Sequence, residues 1–391
     1  MKKRVIVLFL AFFVMFWFFS VGATTDQENI ESDISASIDK QIEDLDFSKL
    51  EELLNKLDQE QLEIFGQTGF VEKVKKIING DFKDLGDSVL DATVNLILEE
   101  VLALIPLMAT ILAIGILSGM LGQLRNGKDK GIGDIIHFVC YGLVLILISS
   151  SVIQLLKLSQ KTLATMKAEI DVLFPILLTL MSAVGGTVSV GVYQPAVALL
   201  SGSIMQIFNL ILVPIFVFSF VFAIISNLTN TVKVDKFVSF LNSAFKWIIG
   251  LMFTIFLAFV SIKGITAGAY DGISVKTAKF AIKSYVPILG GYLADGFNVI
   301  MASSVLIKNS VGLCGLLLIV SSILVPIISI MVFSMLLKLT GSILEPLTDG
   351  RISTFLFSVS KTITMLLVIL IGVAFMFLIL IALVMCSANF F

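Results

Sequence analysis

Apolar runs of membrane-crossing length decide the solvent in which this chain folds. They lie at about 101–121, 135–156, 172–192, 196–228, 246–263, 285–307, 311–337 and 362–386. Each is near or above the roughly 20 residues an α-helix needs to cross a bilayer. Of 391 residues, 57% are hydrophobic and 14% charged, against about 25% charged in a soluble domain. Most of the chain therefore obeys bilayer rules. The expected fold class is all-α: a polytopic α-helical membrane protein, residues 101–391, with a small N-terminal extracytoplasmic helical segment. The run at 196–228 carries Pro214 in its middle, so it reads as one tilted helix or two short ones. The expected number of crossings is seven to nine.

Charge is unevenly spread. Residues 24–100 hold 20 of the 29 acidic residues and 7 of the 27 basic ones. An acidic soluble segment is thus joined to a weakly basic membrane body, and the basic footprint of a nucleic-acid binder is missing. Cys140, Cys314 and Cys386 all lie in apolar runs, so no disulfide framework is implied and small apolar packing residues are expected.

Residues 1–23 have the pattern of a secretory signal. Lys2, Lys3 and Arg4 precede the apolar run Val5 to Phe19, and Val21 and Ala23 supply small residues before a cut after Ala23. An uncleaved anchor is the alternative. Either way, Thr24 onward is expected outside the cytoplasm. Residues 24–100 then read as a helical module. Ser48 and Glu51 have capping-box spacing, and Leu50, Leu53, Leu54 and Leu57 form an amphipathic stripe. Phe70, Val74, Ile77 and Ile78 form a second, ended by Asn79, Gly80 and Asp81. These stripes either pack on each other or offer a docking face to another protein.

Orientation follows the basic residues. Arg125, Lys128 and Lys130 fit a cytoplasmic end for the first crossing. Lys157, Lys161 and Lys167, and the group Lys263, Lys276, Lys279 and Lys283, do not fit simple alternation. The segment 157–170 could instead lie flat as an amphipathic helix, and the later topology stays open.

The stretch Lys283 to Asn309 is long enough to cross, yet it contains Pro287, Gly290, Gly291, Asp295, Gly296 and Asn298. A plain lipid-facing helix needs none of them. Asp295 is the most telling, because an acid at depth is costly and by default marks a function. Its bland reading is pairing with Lys283 or Lys308, or contact with water. These six residues are the candidate pathway or gate. Gly115 and Gly119, and Gly264, Gly268 and Gly272, recur at four-residue spacing, which brings backbones close within one subunit or between copies.

Enzyme chemistry is not expected. His137 is the single histidine, which removes histidine triads and multi-histidine metal sites. Gly122, Gly127 and Lys128 fall one residue short of a P-loop, with Asp129 where Ser or Thr should hold magnesium. No ATPase, catalytic pair, metal or cofactor is expected.

Across nearly its full length the chain resembles the stage III sporulation protein AE family of endospore-forming bacteria. The resemblance rests on the order of features: a signal, an acidic helical segment, then a polytopic body. Within that body come Tyr193-Gln194-Pro195-Ala196-Val197, then Pro287 through Asp295 (PILGGYLAD). Leu306 through Gly312 (LIKNSVG) and Glu345-Pro346-Leu347-Thr348-Asp349 follow. The resemblance implies a multi-span member of the complex joining mother cell and forespore, in the mother-cell membrane around the forespore. It implies as partners the other stage III A-operon proteins, including a secretion-type ATPase and ring-forming proteins, with stage II sporulation protein Q reached indirectly. Homo-oligomers are compatible with it. It carries over no catalytic or ligand residues. Three roles stay open: an export gate or channel subunit, a self-contained small-solute permease with Asp295 as coupling acid, and a non-conducting platform for ring assembly.

Overall fold

The structure is a computed structural model that describes residues 28–66, 68–81, 83–122, 130–228, 235–285, 290–348 and 350–387. The signal at 1–23 lies outside the described residues. All regular structure among the described residues is helical. Four short helices come first: α1 (Glu28–Glu43), α2 (Ser48–Leu54), α3 (Gln59–Phe65) and α4 (Phe70–Ile78). Long helices follow: α5 (Lys83–Gly122), α6 (Lys130–Ala183), α7 (Thr187–Ile207), α8 (Val213–Leu228), α9 (Asp235–Tyr285), α10 (Gly290–Leu344) and α11 (Arg351–Cys386).

Among the described residues the eight apolar runs become six long helical rods, and six helices are long and apolar enough to cross a membrane. The reduction has plain causes. No breaker separates the run at 135–156 from the start of the next, so both enter the 54-residue α6. The segment 157–170 is therefore part of an upright helix rather than a flat one. Residues 311–337 likewise continue the helix begun at Gly290, in the 55-residue α10. The run at 196–228 is one rod. A π turn at Phe208–Leu212 joins α7 to α8. Pro214 has no N–H for the carbonyl of Leu210 and its ring crowds that carbonyl, so a widened turn relieves the clash without ending the helix.

The contacts fix alternating directions; "upper" denotes the end where α10 stops. α5 runs parallel to α10: Ser329 donates to Glu100, Thr340 Oγ1 lies 3.4 Å from Met108 Sδ, and Gly115 sits beside Leu344. α11 returns antiparallel, with Ser353 Oγ donating to Gly341 O at 2.8 Å and Gly312 beside Met385. α6 descends, with the Tyr141 ring 5.2 Å from Phe355 above and Leu173 against Gly315 below. The α7–α8 rod rises, from Tyr193 beside Ser387 to Ile224, whose carbonyl accepts from Tyr141 Oη at 3.1 Å. α9 descends, from Phe237 against Phe222 to Phe253 against Phe375 and then to Asp271 near the base.

The centre is the α10–α11 hairpin. The most apolar windows of these two helices are 67% and 61% buried, against 17–33% for the other four spans. Phe333, Leu337, Phe355, Leu356, Ile363 and Leu366 fill the middle with essentially no exposure. Hydroxyls line the seam between the two helices: Ser334 and Ser360 meet at 2.8 Å, and Ser360 also donates to Ser334 O at 2.9 Å.

The N-terminal helices close against the lower half of α10. Phe47, Leu50, Leu54, Leu57, Phe70 and Val74 are buried in one core with it, so both stripes pack within the chain. Gln41 Nε2 donates to Ser303 Oγ at 2.9 Å and Ser304 Oγ to Gln41 Oε1 at 2.7 Å. Higher up, Gln61 Nε2 reaches Ser322 O at 3.1 Å. The capping box falls at Asp58 and Gln61, not at Ser48. Ser48 is the first residue of α2, and its N–H donates to Asp46 Oδ1 at 3.0 Å. Glu51 instead accepts from the Val71 N–H at 3.2 Å, tying α2 to α4. Gly80, at φ +75°, takes the left-handed position just beyond α4.

Lys73 on α4 is buried with its ammonium 4.3 Å from the centroid of the Phe65 ring. Burial pushes its pKa below the ordinary lysine value of 10.5. At neutral pH the charged form is thus penalised in the folded state more than in the unfolded chain. That penalty is relieved as pH rises through the lowered value toward 10.5. Lys73→Met is therefore expected to raise the melting temperature of the full chain at pH 7, with the gain shrinking toward pH 10. A Met variant no more stable than the parent at pH 7 would mean that the ring contact offsets the desolvation.

Candidate functional site

The suspected gate residues that the structure describes lie in the first turns of α10, at the lower end of the bundle. α9 ends at Tyr285 and α10 begins at Gly290, so the described part of the stretch 283–309 is the end of α9 and the first turns of α10. Pro287 lies outside the described residues. Gly290 opens α10, and Asp295 lies within its first two turns with its side chain outside the described set. Gly291 and Gly296 are exposed with open space where a Cβ would stand. Asn298 is half-buried, and its Oδ1 is buried without a hydrogen-bond partner. Lys308 is 13 residues beyond Asp295 on the same helix, about 20 Å away, too far for the ion pair considered from sequence.

Gly115 and Gly119 lie where α5 meets the top of α10. A Cβ on Gly115 would stand 2.5 Å from Leu344 Cδ2, and one on Gly119 would stand 1.9 Å from the carbonyl oxygen of Leu347. Gly264, Gly268 and Gly272 share α9; the surroundings of the first two lie outside the described residues.

Two buried polar sites organise the lower half. Asp271 on α9 is fully buried, and its carboxylate accepts the Val188 and Ser189 N–H groups at 2.9 and 3.0 Å. These are orphan donors of the first turn of α7. The carboxylate caps that helix from another element and meets the positive end of its dipole. Gly185, at φ +90°, makes the turn that presents α7, and a Cβ there would stand 2.5 Å from Val275 Cγ2. Nearby, the buried Lys308 donates to the carbonyl of Ser387 at the end of α11. Tyr193 Oη lies 3.2 Å from Ser387 Oγ. Tyr193 and Lys308, from two of the sequence motifs quoted above, thus meet at one residue.

The second site is Glu169 on α6, which is buried and accepts from Ser322 Oγ of α10; its Oε2 has no hydrogen-bond partner. Two residues on, the exposed Asp171 accepts from Ser201 Oγ at 3.2 Å, and Lys167 also pairs with Asp171. Sequence reasoning missed Asp271 and Glu169. Glu169 falls in register with Thr162, Met166, Ile170 and Leu173, all buried, a stripe that was legible at helical spacing. Asp271 had no such signal, because its partners are backbone groups 80 residues earlier. Among the described residues no cluster of His, Cys, Asp or Glu has the makings of a metal site.

The model of the stage III sporulation protein AE family matches residues 69–388. This chain belongs to that family. Stage III sporulation protein AE of Bacillus subtilis (strain 168) is 27% identical over 315 residues, covering 80% of this chain and 79% of that protein. No solved structure matches. As a member of the stage III sporulation protein AE family with six potential spans among the described residues, the chain is a sporulation membrane protein. The matched region takes in α5 to α11, and with them the Asp271 cap, Glu169 and the Lys308–Ser387 contact.

Proposed function

We propose that this sporulation protein is the gate subunit of the complex joining mother cell and forespore. It is held in the mother-cell membrane around the forespore with residues 24–100 on the outer side. Its partners in this reading are the other stage III A-operon proteins, including the secretion-type ATPase and the ring-forming proteins, with stage II sporulation protein Q reached indirectly. The supporting observation is the start of α10. It stands at the same end as the N-terminal helices and carries the exposed Gly291 and Gly296, with open space beside both. Exposed small residues suit close contact with another protein better than contact with lipid.

The filled α10–α11 centre favours a path formed between copies or with partners over one through a single copy. The same feature favours the platform as second reading. It weakens the permease reading, which needed Asp295 at mid-depth. Gly291→Leu and Asp295→Asn separate the two. Both are expected to accumulate normally, since Gly291 has open space beside it. A gate predicts that the variants still co-purify with the complex while forespore development stops. Normal development at normal protein level would sink the gate and leave the platform.

A further inference from the structure

We propose that only the upper half of the bundle sits in lipid, and that the lower halves of the same helices stand in water as one body with α1–α4. Helices of 51–55 residues are roughly 80 Å long, against a hydrocarbon core of about 30 Å. On α6 exposed large apolar side chains gather at the upper half, among them Phe138, Leu143, Ile146 and Ile153; upper α10 adds Met331, Met335, Leu339 and Ile343. From residue 157 to 209 the surface changes character. Val188 and Leu199 are its only exposed large apolar side chains, while Lys157, Lys161, Asp171, Thr179, Gln194 and Gln206 are exposed.

A band of charge marks the change. Lys161 pairs with Asp58 at 3.2 Å, and Glu100 is bonded by Ser329 beside Glu99. From Ser329 to Leu344, its last residue, α10 rises about 22 Å, most of the roughly 30 Å of a hydrocarbon core. On α9 and the first turns of α10 exposed apolar side chains continue below this level, at Leu257, Ile273, Phe280, Ile300 and Leu306, so the boundary is read from α6, α7 and the seat of the N-terminal helices. Lys338 and Lys361 fall within the belt, where their stems let the ammonium groups reach toward an edge. The N-terminal helices carry charged outer faces and pack on α10 along 300–322, which would be impossible if that length of α10 were in hydrocarbon.

The inference explains the lysines that defeated simple alternation: Lys157, Lys161 and Lys167 lie along the side of a water-facing shaft, not in a loop. Which side of the membrane the shaft occupies rests on the orientation proposed above; the lipid boundary does not.

Single cysteines in the full-length chain test it. Cys386→Ser removes the exposed native thiol, while Cys140 and Cys314 are buried and stay. Thr179→Cys and Ala198→Cys probe the lower half, Leu143→Cys and Met335→Cys the belt, and Lys40→Cys the N-terminal module; all five positions are exposed. A membrane-impermeant maleimide is applied to intact cells and to inverted vesicles. The lower-half positions are expected to label as fast as Lys40→Cys and about tenfold faster than the belt positions, from the outside. Thr179→Cys and Ala198→Cys as slow as Met335→Cys in both preparations would overturn the boundary. Labelling of all three water-facing sites in inverted vesicles alone would keep the boundary and overturn the proposed orientation.

Discussion

Asp271→Leu is expected to destabilise the bundle by about 2–5 kcal/mol, enough to deplete the protein from the membrane. The substitution leaves the Val188 and Ser189 N–H groups buried without an acceptor. It also removes the carboxylate from the positive end of α7. Asp271→Asn keeps one acceptor oxygen and is expected to lose roughly half as much. Thermal unfolding of the purified full chain in detergent, with membrane levels by immunoblot, reads both. A leucine variant that unfolds with the parent would show that Gly185 and the Val275 contact hold the turn without the cap.

Gly119→Ala is the second large effect. The added Cβ meets a backbone carbonyl, the oxygen of Leu347, which no rotamer change can move aside. The expected loss is about 2–4 kcal/mol, with displacement of the top of α5. Gly115→Ala meets the tip of Leu344, which can turn away, so its loss is expected to be smaller. Gly291→Leu meets nothing and is expected to be silent for stability. The order of melting temperatures, Gly119→Ala below Gly115→Ala below Gly291→Leu, is the check; a reversed order of the first two would mean that the α10–α11 connection yields more readily than the Leu344 side chain.

The helical, membrane-bound class was legible because it rests on run length, which is a local property. The number of rods was less so. A helix continues through Lys157 to Asp171 as readily as through leucines, so apolar runs mark lipid or core contact and not where helices end. Pro214 shows the same limit from the other side: a proline announces a disturbance, but whether the chain breaks or widens by one turn depends on its neighbours. The small-residue spacing of Gly115 and Gly119 could be read, though their partners, Leu344 and the Leu347 carbonyl, could not. The gate stretch was noticed for its composition; that α9 ends at Tyr285 and α10 begins at Gly290 could not be read from it. The buried carboxylates escaped because Asp271 answers to backbone donors, and backbone donors have no sequence signature.

The central position of α10 and α11 also bears on how the protein is made. The two best-buried helices are the last to leave the ribosome. α5 and α6 emerge before α10, the helix each packs against most, while α9 finds α7 and α8 already made. The N-terminal helices wait longest: Gln41 and Phe70 must stay available until Ser303, Ser304 and Cys314 arrive, more than 200 residues later. Assembly of the body is thus deferred to the end of translation. A chain cut before α10 would hold four loosely packed spans and an N-terminal module without its seat, an obvious substrate for membrane quality control.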